Sequence, residues 1–121
     1  MLNVRESIVD ALAAALEGQA EVYAMYPKTG ARYPSVSYYE SENRRFAQTD
    51  GGEHLSEITY VVDVWSESTA TNIALSGLID DAMTALGFVR AFAMDVDDPN
   101  CKHTTMRFRA VIDQGGNAYQ G

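Results

Sequence analysis

Apolar positions along this chain follow two rhythms, one helical and one strand-like, that alternate in blocks. Val4, Ile8, Leu12 and Ala15 or Leu16 recur at helical spacing, while Arg5, Glu6, Asp10 and Ala13 fall elsewhere on the wheel. This predicts a first helix from Val4 to about Leu16. Asn3, with Glu6 three residues on, is close to a capping box, and Gly18 suits the left-handed residue that ends a helix. The alanine run between them reads as close packing against a sheet. A second and stronger stripe, Leu75, Leu78, Ile79, Ala82, Met83 and Leu86, predicts another helix. Ser68, Thr69 or Thr71 can cap its start, Asp80 and Asp81 lie on its wet side, and Gly87 stops it. Burial of Leu78 or Leu86 is expected to stabilise the fold by roughly 2 kcal/mol each.

Between and after the helices the period drops to two. Glu21 to Tyr26 is a short apolar-aromatic run stopped by Pro27, and Lys28-Thr-Gly30 reads as a turn or loop. From Pro34 to Glu40, Val36 and Tyr38 share one face, with Ser35, Ser37 and Tyr39 on the other. A polar segment, Ser41 to Gln48, leads into the turn signal Asp50-Gly-Gly52. From His54 to Trp65, Ile58, Tyr60, Val62 and Val64 face one way and Thr59, Val61, Asp63 and Trp65 the other. These segments form a long hairpin with its tip near Gly51, whose polar outer half projects from the body. A last hairpin, Phe88 to Val96 and Lys102 to Asp113, turns around Asp98-Pro99-Asn100. In it Met106, Phe108, Ala110 and Ile112 oppose Thr105, Arg107, Arg109, Val111 and Asp113.

The expected fold class is therefore α+β: two helices packed on one face of a mostly antiparallel twisted sheet, in the order α-β-β-β-β-α-β-β, with a projecting hairpin. Residues 1–113 read as a single domain and 114–121 as a flexible C-terminal tail without a core-forming pattern.

Composition narrows the function classes. The chain has 121 residues, enough for one core and too few for two. Net charge is −8 with a pI near 4.5, so nucleic-acid binding as the main task is disfavoured by repulsion from phosphate. No apolar run approaches the length of a membrane span, and Met1 to Glu6 does not read as a signal peptide. The single Cys101 cannot form an internal disulfide, which fits a reducing compartment or a protein that does not depend on disulfides.

Candidate chemistry is sparse. Asp95, Asp97 and Asp98 resemble the start of a calcium loop, but Pro99 and Asn100 stand where a ligand and the turn glycine belong, and Met106 at the bidentate-glutamate position. A solvated turn capped by Asx side chains fits better. His54 and His103 lie on different hairpins, and with Cys101 they supply at most three zinc ligands. Cys101 beside Lys102 and His103 is a candidate for a lowered thiol pKa. No phosphate-binding loop, dinucleotide fingerprint or nucleophile elbow occurs. The expectation is no catalytic residue, no metal and no cofactor. An alternative is a small intracellular metal- or ligand-binding domain or enzyme using the Asp95–His103 turn; a toxin–antitoxin or adaptor-type module is a third class.

What remains points to contact surfaces. Tyr39, Arg44, Arg45, Phe46 and His54, with Tyr33 and Tyr38 nearby, concentrate aromatic and arginine side chains on the long hairpin, types enriched at interface cores. The bland counterpart is that Tyr38 is core and Arg44 and Arg45 are ordinary solvated charges. On an acidic protein Arg44 and Arg45 can receive an acidic patch from a neighbouring copy.

Taken together, Tyr26-Pro27-Lys28, Pro34 to Tyr38, Thr59 to Trp65, the helix ending at Gly87, Met94 to Pro99, Lys102-His103 and Met106 to Phe108 follow one another in a familiar order. Over about residues 1 to 113 the chain resembles the small tail-completion proteins of long-tailed bacteriophages and prophages, also called tail-terminator or head–tail joining proteins. The resemblance implies a virion structural protein without enzymatic activity. It implies a ring, typically hexameric, that caps the tail tube and offers a docking surface to the head connector. The partners implied are further copies of the chain, the tail tube protein and the connector, with DNA only passing through the lumen and no membrane. It also implies a place at the head–tail junction of the virion after assembly in the host cytoplasm.

Overall fold

The computed structural model describes residues 4–27, 32–48, 54–113 and 118–119, the side chains of 46–48, 54, 118 and 119 excepted. The elements follow the chain as α1 (Arg5–Ala15), β1 (Glu21–Ala24), β2 (Ser35–Gln48), β3 (His54–Ser66), α2 (Thr69–Ala85), β4 (Val89–Val96), β5 (Lys102–Ile112) and the two-residue β6 (Ala118–Tyr119). The α+β class stands, with three strands rather than four between the helices. The polar segment from Ser41 to Gln48 is strand, the outer half of β2. Along its length β2 absorbs two register shifts, at Glu40/Glu42 and Arg45/Ala47, while staying paired to β3.

Strand order is β1-β2-β3-β5-β4, with β6 pairing β5. Only β1–β2 is parallel; β2–β3, β3–β5, β4–β5 and β5–β6 are antiparallel. Because β5 inserts between β3 and β4, the α2 crossover carries the chain past one strand position to the sheet edge. The hairpin of β2 and β3 outruns the rest of the sheet only past Arg45 and before Ser56, since Ser56 still pairs with Ile112 of β5.

One face of the sheet meets both helices, and the period-two reading of that face holds residue by residue. Val36, Tyr38, Ile58, Tyr60, Val62, Val64, Met106, Phe108, Ala110 and Ile112 are buried there with Ile8, Leu12, Leu16, Leu75, Ile79, Met83 and Phe88. The helix centre is displaced from the expected one: Leu75, Ile79 and Met83 are buried, while Leu78 and Leu86 are only partly so. Asn72 heads that buried row, a polar residue on a stripe that looked purely apolar. Its amide donates to Thr104 Oγ1 at 3.1 Å and accepts from the Ser66 hydroxyl, which satisfies it.

Helix termini divide into confirmed and corrected features. Ser68 caps α2, its hydroxyl accepting from Thr71 N. At the other end Phe88 N bonds Met83 O at 3.0 Å and Gly87 N bonds Thr84 O at 2.9 Å, with Gly87 at φ 93°. That paired pattern is a Schellman motif, which needs the left-handed residue glycine supplies. Gly18 likewise has φ 74° beyond α1. The N-cap of α1 is Val4, with no side-chain cap; the expected partner Asn3 lies outside the described residues. Ala13 and Ala14 are exposed, so only Ala11 and Ala15 of the alanine run turn inward. The turns expected at Lys28-Thr-Gly30 and Asp50-Gly-Gly52 also lie outside the described residues, as does most of the tail. Within the tail Ala118 and Tyr119 pair with Ile112 and Val111.

Candidate interaction surface

Among the described residues the second face of the sheet carries no helix. Cross-strand register sets its side chains in rows: Ser35, Trp65, His103 and Val96; then Ser37, Asp63, Thr105 and Met94; then Tyr39, Val61, Arg107 and Phe92. Ser35, Ser37, Val61 and Asp63 are nonetheless buried, because larger neighbours lie over them. His103 stacks on Trp65 with ring centroids 3.7 Å apart, and its Nε2 lies 2.8 Å from Asp63 Oδ1. Trp65 Nε1 donates to Ser37 Oγ at 3.2 Å. The His103 and Asp63 side chains are 12% and 9% exposed, so this set ties three strands together and offers little to a substrate.

The alternative site reading needed His103 and the Asp95–Asp98 carboxylates on one turn working together. Asp95, Asp97, Asp98 and His103 do line one groove, but the hydrogen bonds of Asp95, Asp98 and His103 go to different partners. Asp95 points to the helix side, accepting from Thr104 Oγ1 at 3.1 Å, and Asp98 Oδ1 accepts from Asn100 N at 2.9 Å as an Asx turn. Among the described residues no three His, Cys, Asp or Glu side chains converge as a metal site. Cys101 runs against its expectation: burial, and then Asp98, push its thiol up, with the Tyr33 hydroxyl opposing, so the neighbouring Lys102 and His103 do not lower it. That groove, of about 660 Å³, lies between α2 and the β4–β5 hairpin, with Ile73, Gly77 and Met106 lining it beside Asp95, Cys101 and His103.

The hairpin residues expected to form an interface are divided by the pleat. Tyr39 is half-buried on the open face opposite Val61. Arg44 shares that face but is held within its own chain, Nε 2.7 Å from Glu42 and a terminal nitrogen 2.9 Å from Glu57. The Glu57 hydrogen bond, with the charges of Glu57 and Glu42, raises its pKa further. Arg45 is exposed and points to the opposite side, in register with Ser56. The Phe46 and His54 side chains lie outside the described residues.

Sequence reading overlooked a second surface on β4 and β5. Every residue of β4 from Val89 to Asp95 is exposed, including Val89 at 67%, Phe92 at 37% and Met94 at 52%. The Arg107 guanidinium carbon sits 4.8 Å from the centre of the Phe92 ring. The apolar alternation of Phe92, Met94 and Val96 is visible in the sequence as strand pattern; that β4 lies at a sheet edge depends on topology. At the far edge, Met25 and Tyr26 are 53% and 67% exposed just past β1.

Over the described residues these features define a small one-sheet α+β protein whose uncovered surfaces are two strand edges and a helix-free face. The chain belongs to the tail completion protein gp17 family, whose profile matches residues 6–113. Its fold is shared with a chain in the virion of a native gene transfer agent particle, at a TM-score of 0.58 and 19% identity over 88% of this chain and 91% of that one. It is also shared with the gp17 protein of bacteriophage SPP1, at a TM-score of 0.51 and 21% identity over 90% and 91%. No curated protein matches it by sequence.

Proposed function

We propose that this chain is a virion structural subunit that completes a phage-type tail, assembling as a ring of about six copies on the tail tube and meeting the head connector. One observation carries the reading: the tail completion family profile spans nearly the whole chain, Glu6 to Asp113. The likeness to a virion chain and to SPP1 gp17 is consistent with it. In this role no chemistry is asked of the protein, and its acidity lets DNA pass through the lumen without adhering. The hairpin around Tyr39, Arg44, Arg45, Phe46 and His54 is a proposed contact with the tube or the connector.

The test is mass spectrometry of purified particles, joined to electron microscopy of the 13.3 kDa protein mixed with its tail tubes. The expected result is the protein present in particles and a ring density at one tube end. Particles that lack it, together with tubes that end bare, would sink the reading.

A further inference from the structure

The two edges of the sheet are unlike and complementary. The β4 edge combines Val89, Phe92 and Met94 with Arg107 and Arg109 on the open face of β5, and neither arginine has an ion pair among the described residues. A native edge strand is usually short, charged or covered; β4 has eight residues, and Arg90 and Asp95 are its only charges. Arginine, phenylalanine and methionine are the types enriched at interface cores. Anything that covers Phe92 also takes the Arg107 guanidinium lying on it out of water, so the occupant must bring carboxylates or leave a buried charge uncompensated.

The opposite edge supplies them. Glu17 and Glu21 are exposed beside the four-residue β1, followed by the exposed Met25 and Tyr26, with Arg32 as a cation on the same margin. From this charge complementarity we infer that the β4–β5 edge of one copy docks on the β1 margin of the next, Arg107 and Arg109 facing Glu17 and Glu21 and the two apolar sets meeting between them. Two different patches at opposite ends of one sheet make a heterologous contact, the kind that closes rings. The inference rests on the ring reading and adds which surfaces form the joint.

Charge reversal tests it. Arg107→Glu with Arg109→Glu, and separately Glu17→Arg with Glu21→Arg, are compared with wild type by light scattering and microscopy on tail tubes. Each reversed protein is expected to lose ring assembly, with self-association weakened about tenfold or more. All four changes in one chain are expected to restore it, which also shows that the variants fold. Rings from either reversed protein at wild-type concentrations would overturn the inference and leave the ring reading intact. Wild-type protein that forms no ring even on tubes would overturn both. Unchanged assembly with loss of binding to a short DNA duplex in the arginine variant would reassign the patch to DNA.

Discussion

The two faces of the sheet are read from the same strands one residue out of phase, and they are held by different forces. On the covered face Ile58, Tyr60, Val62 and Val64 form one row of large buried side chains packed under α1 and α2. On the open face Thr59, Val61, Asp63 and Trp65 occupy the intervening positions, and no element among the described residues lies above them. Burial there is lateral: Trp65 and His103 stack over their neighbours and close hydrogen bonds to Ser37 and Asp63. An apolar face needs a lid to be stable, whereas a face closed by its own side chains can stay bare and remain available to a partner.

The sharpest way to break this contrast is a pair of adjacent truncations on β5. Phe108→Ala, on the covered face and fully buried, is expected to cost about 3–5 kcal/mol in urea unfolding. Arg107→Ala, one residue away and exposed, is expected to stay within about 0.5 kcal/mol. Similar costs would mean that the open face is as much core as the covered one.

Alkaline titration reads the covered face from inside. Burial, with the Glu40 carboxylate adding and Arg5 opposing, pushes the Tyr60 hydroxyl up to about 12 from the usual 10.0. Below pH 10 both folded and unfolded chains keep the proton. Between about 10 and 12 only the unfolded chain releases it, so stability is lost as pH rises through that window, by roughly 2–3 kcal/mol. Tyr60→Phe is expected to flatten that part of the profile, measured as unfolding free energy against pH. A profile unchanged by the substitution would show that Tyr60 ionises freely when folded.

On the open face the matching probe is His103→Phe, which keeps a ring over Trp65 and removes the partner of the Asp63 carboxylate. A loss of about 1.5–3 kcal/mol is expected from the hydrogen bond to a charged group. No loss would assign the stability of this face to stacking alone.

How much of this was legible follows from the same contrast. Period and caps exposed the covered face, because Val36 to Tyr38, Ile58 to Val64 and Met106 to Ile112 announce themselves by alternation. Ser68, Gly18 and Gly87 marked helix ends through local backbone chemistry, needing no knowledge of the fold. The open face was not readable. That His103 meets Asp63 forty residues away depends on β5 lying beside β3, and nothing local encodes strand order. The buried role of Asn72 was equally hidden, because its partners, Ser66 and Thr104, belong to two different strands. The candidate hairpin was recognised by composition, but composition does not show that Arg44 is already held by Glu42 and Glu57. Nor does it show that exposed Phe92 and Met94 sit on an edge.

Arg44 gives the smallest effect and separates a hairpin that stabilises the fold from one that serves a partner. Its side chain is 61% exposed, and of its two carboxylates Glu42 is exposed while Glu57 is only 11% so. Solvent screens the outer pair almost completely; the inner one keeps some strength because Glu57 lies low on the open face. Arg44→Ala is therefore expected to shift the unfolding midpoint only slightly, and Glu57→Gln in the same chain to recover part of that shift, as a double-mutant cycle would register. Because the fold barely depends on Arg44, ring or tube binding can be read separately in the same variant. Loss of tube capping at unchanged stability would place the hairpin in an interface. Unchanged capping would leave Arg44 as a brace between β2 and β3 and return the search for contacts to the β4–β5 edge.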